Sequence, residues 1–189
     1  MTAYSTPELS GPIATFNNPI ASGGKLTFLV NDFVGIDRYQ VLLPTRPNGS
    51  LGWIDATRVE LTRHNFGIHV ALDDFLFTLR ERDQTIFQTT VGVTRENAPT
   101  PRGRYYTTEL IQPVESFSSY GAYAYGLSGY SDTLMEFAGG DAQLGIHGTN
   151  DPRSLGTNVS SGCIRMHNDD ISLLVEETGL PVGVPVEVT

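Results

Sequence analysis

Cys163 is the chain's only cysteine, and it stands in Ser160-Ser161-Gly162-Cys163-Ile164-Arg165-Met166. Sixteen residues upstream is His147, in Gly145-Ile146-His147-Gly148-Thr149-Asn150. A free thiol titrates near about 8.5, so little of it is thiolate at neutral pH unless a neighbour draws off its proton. An imidazole is the side chain suited to that work. The pair points to acyl transfer through a thioester, with Cys163 as nucleophile and His147 as base. The amides of Gly162 and Cys163 are the candidate oxyanion-hole donors, because glycine lets the backbone turn and aim N–H groups at a substrate carbonyl. Arg165 has two readings: it grips a substrate carboxylate, or it braces the loop through backbone carbonyls. Ser160, Ser161 and Asn150 either line the acyl-donor pocket or hydrogen-bond their own loop.

Short β-rich runs must position these residues. Residues 1–24 carry Pro7, Pro12, Pro19 and Gly23-Gly24 and read as a linker or extended arm. A small β-unit is expected over 25–62, with strands at Leu26–Val30, Tyr39–Leu43, Gly52–Ile54 and Val59–Leu61 and a tight turn at Arg46-Pro47-Asn48-Gly49-Ser50. Residues 63–189 form the catalytic part. It opens with a meander over 67–72, 75–82 and 85–93, followed after a proline-rich break by a strand at Arg104–Leu110. Tyr120, Tyr123, Tyr125 and Tyr130 sit in a Ser- and Gly-rich segment, as a binding wall or as packed rings with wet hydroxyls, and Tyr130 joins the substrate-binding candidates. A short helix is expected over 131–137, capped by Ser131. A second, capped by Asn168, Asp169 or Asp170, buries Ile171, Leu174 and Val175 and stops at Gly179 and Pro181; Val182–Val188 closes the chain as a strand. The fold class is mainly β, with one or two short helices.

Composition removes several functions. At 189 residues the chain can bury an ordinary core. With 12 basic against 21 acidic residues the net charge is -9, and Lys25 is the only lysine, so neither a nucleic-acid footprint nor a basic membrane-binding face is expected. His64, His69 and His167 lack the spaced partners of a metal site, and neither metal nor cofactor is expected. No apolar run is long enough to span a bilayer, and Met1–Ser10 lacks the features of a secretory signal.

Three pieces, Thr100-Pro101-Arg102-Gly103, Ile146-His147-Gly148-Thr149 and Ser160–Met166, resemble the L,D-transpeptidase catalytic domain of the YkuD family over roughly Asn65–Val188. The resemblance implies a YkuD-like β-sandwich of mixed sheets. It also implies that the acceptor for the second imidazole nitrogen of His147 is a main-chain carbonyl, here that of Gly148. One position departs: Ser161 stands where the family commonly has histidine, which removes an imidazole with a supporting role. The first piece reads either as the family's turn near the pocket or as a rigid proline turn fixing register. Upstream, Arg46–Ile54 resembles the distal hairpin of bacterial SH3-like modules, the alternative being extra strands of one continuous domain.

The family's substrate is the peptidoglycan stem peptide. Cys163 would attack the carbonyl at the L-centre of the third residue, a diamino acid, releasing D-alanine, and the amine of a second stem would resolve the thioester as a 3-3 cross-link. Such enzymes work in the cell envelope outside the cytoplasmic membrane, and carbapenems are their covalent inhibitors, so an extracytoplasmic location is expected. Water or a free D-amino acid resolving the same thioester would make a hydrolase, carboxypeptidase or exchange enzyme. A non-catalytic wall-binding protein and a peptidase of ordinary L-peptides are the readings from other classes.

Overall fold

The structure is a computed structural model that describes residues 1–94, 98–113, 119–136 and 140–189. The first five strands are β1 (Thr2–Tyr4), β2 (Pro12–Thr15), β3 (Leu29–Val34), β4 (Arg38–Leu42) and β5 (Leu51–Asp55). They form one antiparallel sheet in the order β2-β1-β5-β4-β3. Ala3 is fully buried against Val41, Leu43 and Ile54, so the lead-in expected as a linker or arm supplies two strands and part of this small core. Proline did not prevent this because β2 is an edge strand whose first residue is Pro12, where a missing N–H costs no ladder bond. The strand expected at Val59–Leu61 is absent: the Asp55 side chain accepts from Thr57 N at 3.0 Å and winds Ala56–Arg58 into a 3-10 turn.

The larger part contains β6 (Phe66–Ala71), β7 (Leu76–Glu81), β8 (Gln84–Thr90), β9 (Val93–Thr94), β10 (Gly103–Ile111), β11 (Ala124–Tyr130), β12 (Gln143–His147), β13 (Asn158–Ser160), β14 (Ile164–Arg165) and β15 (Pro185–Val188). Eight of them make a mixed sheet in the order β14-β12-β11-β10-β15-β6-β7-β8, and β13 pairs with β9 in a parallel ribbon. The β6-β7-β8 meander lies where the alternation puts it. The chain is thus mainly β with mixed sheets. On β11, β12 and β14, Tyr125, Leu127, Leu144, Ile146 and Ile164 enter the large core. The alternate residues, including Gly126, Gly145, His147 and Arg165, point to the opposite face.

The helix α1 (Asn168–Ser172) buries Ile171 and continues as a π-turned segment, Leu173–Glu177, that buries Leu174. Its cap position is His167, with no side-chain cap bond, and Asp169 and Asp170 complement its N-terminal dipole. Asn168 does not cap, because its side chain is committed elsewhere. The helix expected from Ser131 is not formed over residues 131–136, and Phe137 lies outside the described residues. Ser131 Oγ does accept from Leu134 N at 3.1 Å. The Arg46 guanidinium, however, takes the carbonyls of Ser131 (3.3 Å) and Leu134 (3.0 Å), which a helix would need for its own ladder.

That guanidinium belongs to the turn between β4 and β5, which docks the small sheet on the large one. Asn48 brackets the Tyr130 backbone: its Nδ2 donates to Tyr130 O and its Oδ1 accepts from Tyr130 N, both at 2.8 Å. The Tyr130 hydroxyl donates to Pro44 O at 3.1 Å, and Arg46 lies 4.6 Å over the Tyr130 ring. Tyr130, expected at the substrate, is therefore committed to the contact between sheets.

Candidate active site

His147 ends β12, and parallel pairing sets it opposite Arg165 in β14. Cys163 immediately precedes β14 and is half-buried; a Cβ built on Gly145 would lie 3.9 Å from its Sγ. The sheet edge therefore gathers His147, Cys163 and Arg165, and Met166 N donates to His147 O at 2.9 Å to hold the two strands in step.

His147 is only 3 % exposed. Its Nδ1 lies 2.6 Å from Gly148 O, and since a carbonyl only accepts, Nδ1 carries the proton and Nε2 keeps the lone pair. Burial, reinforced by the Arg165 guanidinium and opposed by the Gly148 carbonyl, lowers its pKa to about 4. Burial also pushes the Cys163 thiol up, while a hydrogen bond from the Gly145 backbone and the charge of Arg165 pull the other way. Burial thus favours the uncharged forms of both groups, imidazole and thiol.

The loop of the thiol is braced from several sides. Arg165 exchanges N–H and C=O bonds with Gly92, both at 2.8 Å, so here its backbone does the bracing, and its buried Nε has no hydrogen-bond partner among the described residues. The Thr100 hydroxyl donates to Gly162 O at 2.9 Å, and the Tyr105 hydroxyl to Pro101 O at 2.9 Å, which ties the proline turn to the site. Ser160 is fully buried and bonds its own loop: its Oγ accepts from Gly162 N at 3.2 Å. The Gly162 amide, expected as an oxyanion donor, is therefore turned back into a serine turn, at a φ of +117° that favours glycine. Ser161 is half-buried and Asn150 is exposed beside the buried Thr149.

Two further residues join the site: Tyr120, one of the four tyrosines of the candidate binding wall, and Asn168, read as a candidate helix cap. The Tyr120 ring meets His147 edge to face at 4.9 Å, and the charges of Cys163 and Arg165 both act on its hydroxyl. Asn168 Oδ1 accepts from Ala122 N at 3.1 Å, and it fills the notch between Gly121 and Gly148. A Cβ on Gly121 would stand 2.1 Å from that oxygen and one on Gly148 2.2 Å, so only glycine fits at either. The Asn168 amide thereby wedges between the Tyr120 loop and the peptide that orients His147, and Gly148 N donates to Tyr123 O at 3.1 Å to join them. Tyr123 and Tyr125 are further out, donating to Glu176 (2.8 Å) and to the carbonyl of Leu180 (2.7 Å), so the buried Tyr125 hydroxyl is not wet.

Residues 65–188 match the family described as the L,D-transpeptidase catalytic domain. A protein of Bacillus licheniformis named for the L,D-transpeptidase YkuD is 35 % identical over 124 residues, which is 66 % of this chain and 66 % of that protein. The Bacillus subtilis protein of that name is 31 % identical over 106 residues, 56 % of each chain. The matched part therefore spans about two thirds or less of these relatives. Among solved structures, L,D-transpeptidase 3 from Mycobacterium tuberculosis superposes with a TM-score of 0.52 at 15 % identity, over 87 % of this chain and 79 % of that one. The transpeptidase LdtMt1, solved in complex with imipenem, gives 0.50 at 16 % identity, over 80 % and 67 %.

Proposed function

Because the chain belongs to the L,D-transpeptidase catalytic-domain family, we propose that it is a cysteine acyltransferase acting on peptidoglycan stem peptides in the cell envelope, outside the cytoplasmic membrane. The observation that carries the reading is the hydrogen bond from His147 Nδ1 to Gly148 O, which leaves Nε2 as a base on the strand beside Cys163. With the donor stem bound, Cys163 Sγ attacks the carbonyl at the L-centre of the third residue as its proton passes to His147 Nε2. The Cys163 amide faces the developing oxyanion. Collapse forms the thioester and breaks the bond to D-alanine, whose amine leaves with the proton from His147. The amine of a second stem then attacks the thioester and gives its proton to His147. The thiol is regenerated on release of the 3-3 cross-link.

A low base pKa suits this sequence. His147 stays neutral and ready to accept a proton across the neutral range, and Arg165 favours the anionic sulfur of the transition state. Ser161, Asn150 and the Arg165 guanidinium line the donor's path. A transpeptidase of this fold was solved in complex with imipenem, and a nucleophilic Cys163 thiol would open the strained ring of a carbapenem to form a covalent adduct.

Whole-protein mass spectrometry after incubation with imipenem tests the reading. The expected result is one stoichiometric adduct on Cys163, absent in Cys163→Ala, together with 3-3 linked dimers when purified stems are supplied. No adduct, or cleavage of generic L-peptides, would overturn it.

A further inference from the structure

On the face of the sheet that carries His147, the register sets Glu109 in β10 opposite Gly126 in β11, and Gly126 opposite Gly145 in β12. Beyond Gly145 comes the thiol, 3.9 Å from where a Gly145 Cβ would stand. At the other end, a Cβ on Gly126 would meet Glu109 Cγ and Oε1, each at 2.9 Å. Two half-buried glycines side by side thus leave room over a backbone floor, room that the Glu109 side chain and Gln143 Nε2 enter over Gly126 and that the sulfur borders beyond Gly145.

Neither glycine has a left-handed φ, so the backbone does not demand glycine here. Glycine inside a strand weakens it, and its use marks a place where something must approach the backbone closely. The floor has two flanks. Ile111, Ala124 and His147 form one, in register across the same three strands. Gln143 forms the other, its Nε2 donating to Thr108 Oγ1 (3.1 Å) and Leu127 O (2.8 Å). Among the described residues the Glu109 carboxylate makes no hydrogen bond or ion pair. Its Oε1 lies over Gly126, on the face of the sheet that carries the thiol, and accepts no hydrogen bond there.

We propose that Glu109 selects the acyl donor by receiving the free ammonium at the far end of the donor's diamino-acid side chain while that residue's carbonyl rests at Cys163 Sγ. The inference rests on the function proposed above. An ionised carboxylate only accepts, so its complement is a cation with N–H donors. The amine that resolves the thioester must reach the thioester carbon itself, whereas Glu109 is separated from the Cys163 segment by two intervening strands, β11 and β12, a separation suited to a side-chain terminus. Polarity agrees: Arg165 lies beside the thiol and repels an ammonium from that end, and Glu109 attracts it to the other.

The experiment compares acylation of the wild type and Glu109→Gln by two tetrapeptide donors, one with the side-chain amine free and one with it acetylated, and by imipenem. The wild type is expected to prefer the free amine, and the variant to lose about 10- to 100-fold in kcat/KM for that donor alone, mainly through KM. Acylation by imipenem, within about 2-fold of wild type in the variant, checks folding and the chemical centre. Equal losses with both donors, or a wild type that accepts both equally, would overturn the role of Glu109 and leave the transpeptidase reading intact. A wild type that takes imipenem but neither stem would overturn both.

Discussion

The five-stranded sheet buries Ala3, Val41, Leu43 and Ile54, whereas the eight-stranded sheet closes over Phe77, Leu79, Tyr125, Leu127, Ile146, Ile164, Met166 and Leu174, among others. The first has the smaller core, four buried side chains ringed by the half-buried Met1, Phe16, Phe28, Val30, Tyr39 and Val59, and so less burial at about 25 cal/mol per Å² to offset the entropy of ordering each residue. It leans on its neighbour through polar groups: Arg46 and Asn48 on the backbone around Tyr130, Arg104 to Asn31 at 3.0 Å, and the Tyr106 hydroxyl to Thr27 O at 3.0 Å. The second has core to spare and carries the costly groups on its opposite face, a buried histidine and a half-buried thiol. Reactivity belongs where the packing is deep enough to impose it.

The strongest way to break this contrast is at the buried base. His147→Gln should slow imipenem acylation by about 10²- to 10⁴-fold, the range for loss of a general base, with the fold retained. The same residue sets a pH signature. Its folded pKa, about 4, lies below the unfolded value near 6.5, so the unfolded chain binds the proton more readily. The stability this contributes is complete above pH of about 6.5 and is lost as pH falls toward about 4, a difference of roughly 3 kcal/mol. Denaturant melts across that window should show a slope that His147→Gln removes. The acid limb of kcat/KM should lie near pH of about 4; a limb near 6.5 would mean that burial does not tune the imidazole.

Cavities in the two cores should read out differently. Ile146→Ala and Ile54→Ala each remove a buried side chain at a cost of about 2–5 kcal/mol. Ile146→Ala should abolish acylation near the melting temperature, while Ile54→Ala should expose the amides of β3–β5 to hydrogen exchange with acylation preserved. Equal loss of activity would show that the sheets unfold as one body. A milder test is Asn48→Ala, which removes both bonds to the Tyr130 backbone and should cost about 1–3 kcal/mol with faster exchange at the Tyr130 amide. The smallest effect belongs to Arg102→Ala: its 2.7 Å bridge to Asp73 is exposed, and the melting temperature should shift by the equivalent of less than about 1 kcal/mol.

What could be read in advance was local. The strand and loop order around His147 and Cys163 is written in contiguous residues, and the alternation of β6 to β8 announces its own pairing. Asn168 was not legible, because an asparagine before a helical run carries the same local signal whether it caps the helix or reaches across to Ala122. Tyr120 stood among four tyrosines with nothing local to single it out, and its place over His147 is set by Gly121, whose fit against Gly148 is a contact of chain segments far apart in sequence. The strands β1 and β2 were hidden by prolines that read as breakers but sit where an edge tolerates them. The serine turn at Ser160 diverts an amide through a hydroxyl whose target only coordinates reveal.

The partner of the His147 ring is a carbonyl of the main chain, and that has a consequence for heredity. No single codon change can delete an oxygen that every amino acid carries, so mutation can disturb the imidazole's acceptor only by moving it. The vulnerable codons are those for Gly148 and Gly121, where a side chain would collide with Asn168 Oδ1 and the facing backbone and so shift the peptide that carries that oxygen. A lineage sheltering from an inhibitor has therefore little room to adjust the base itself, and must vary the walls around it.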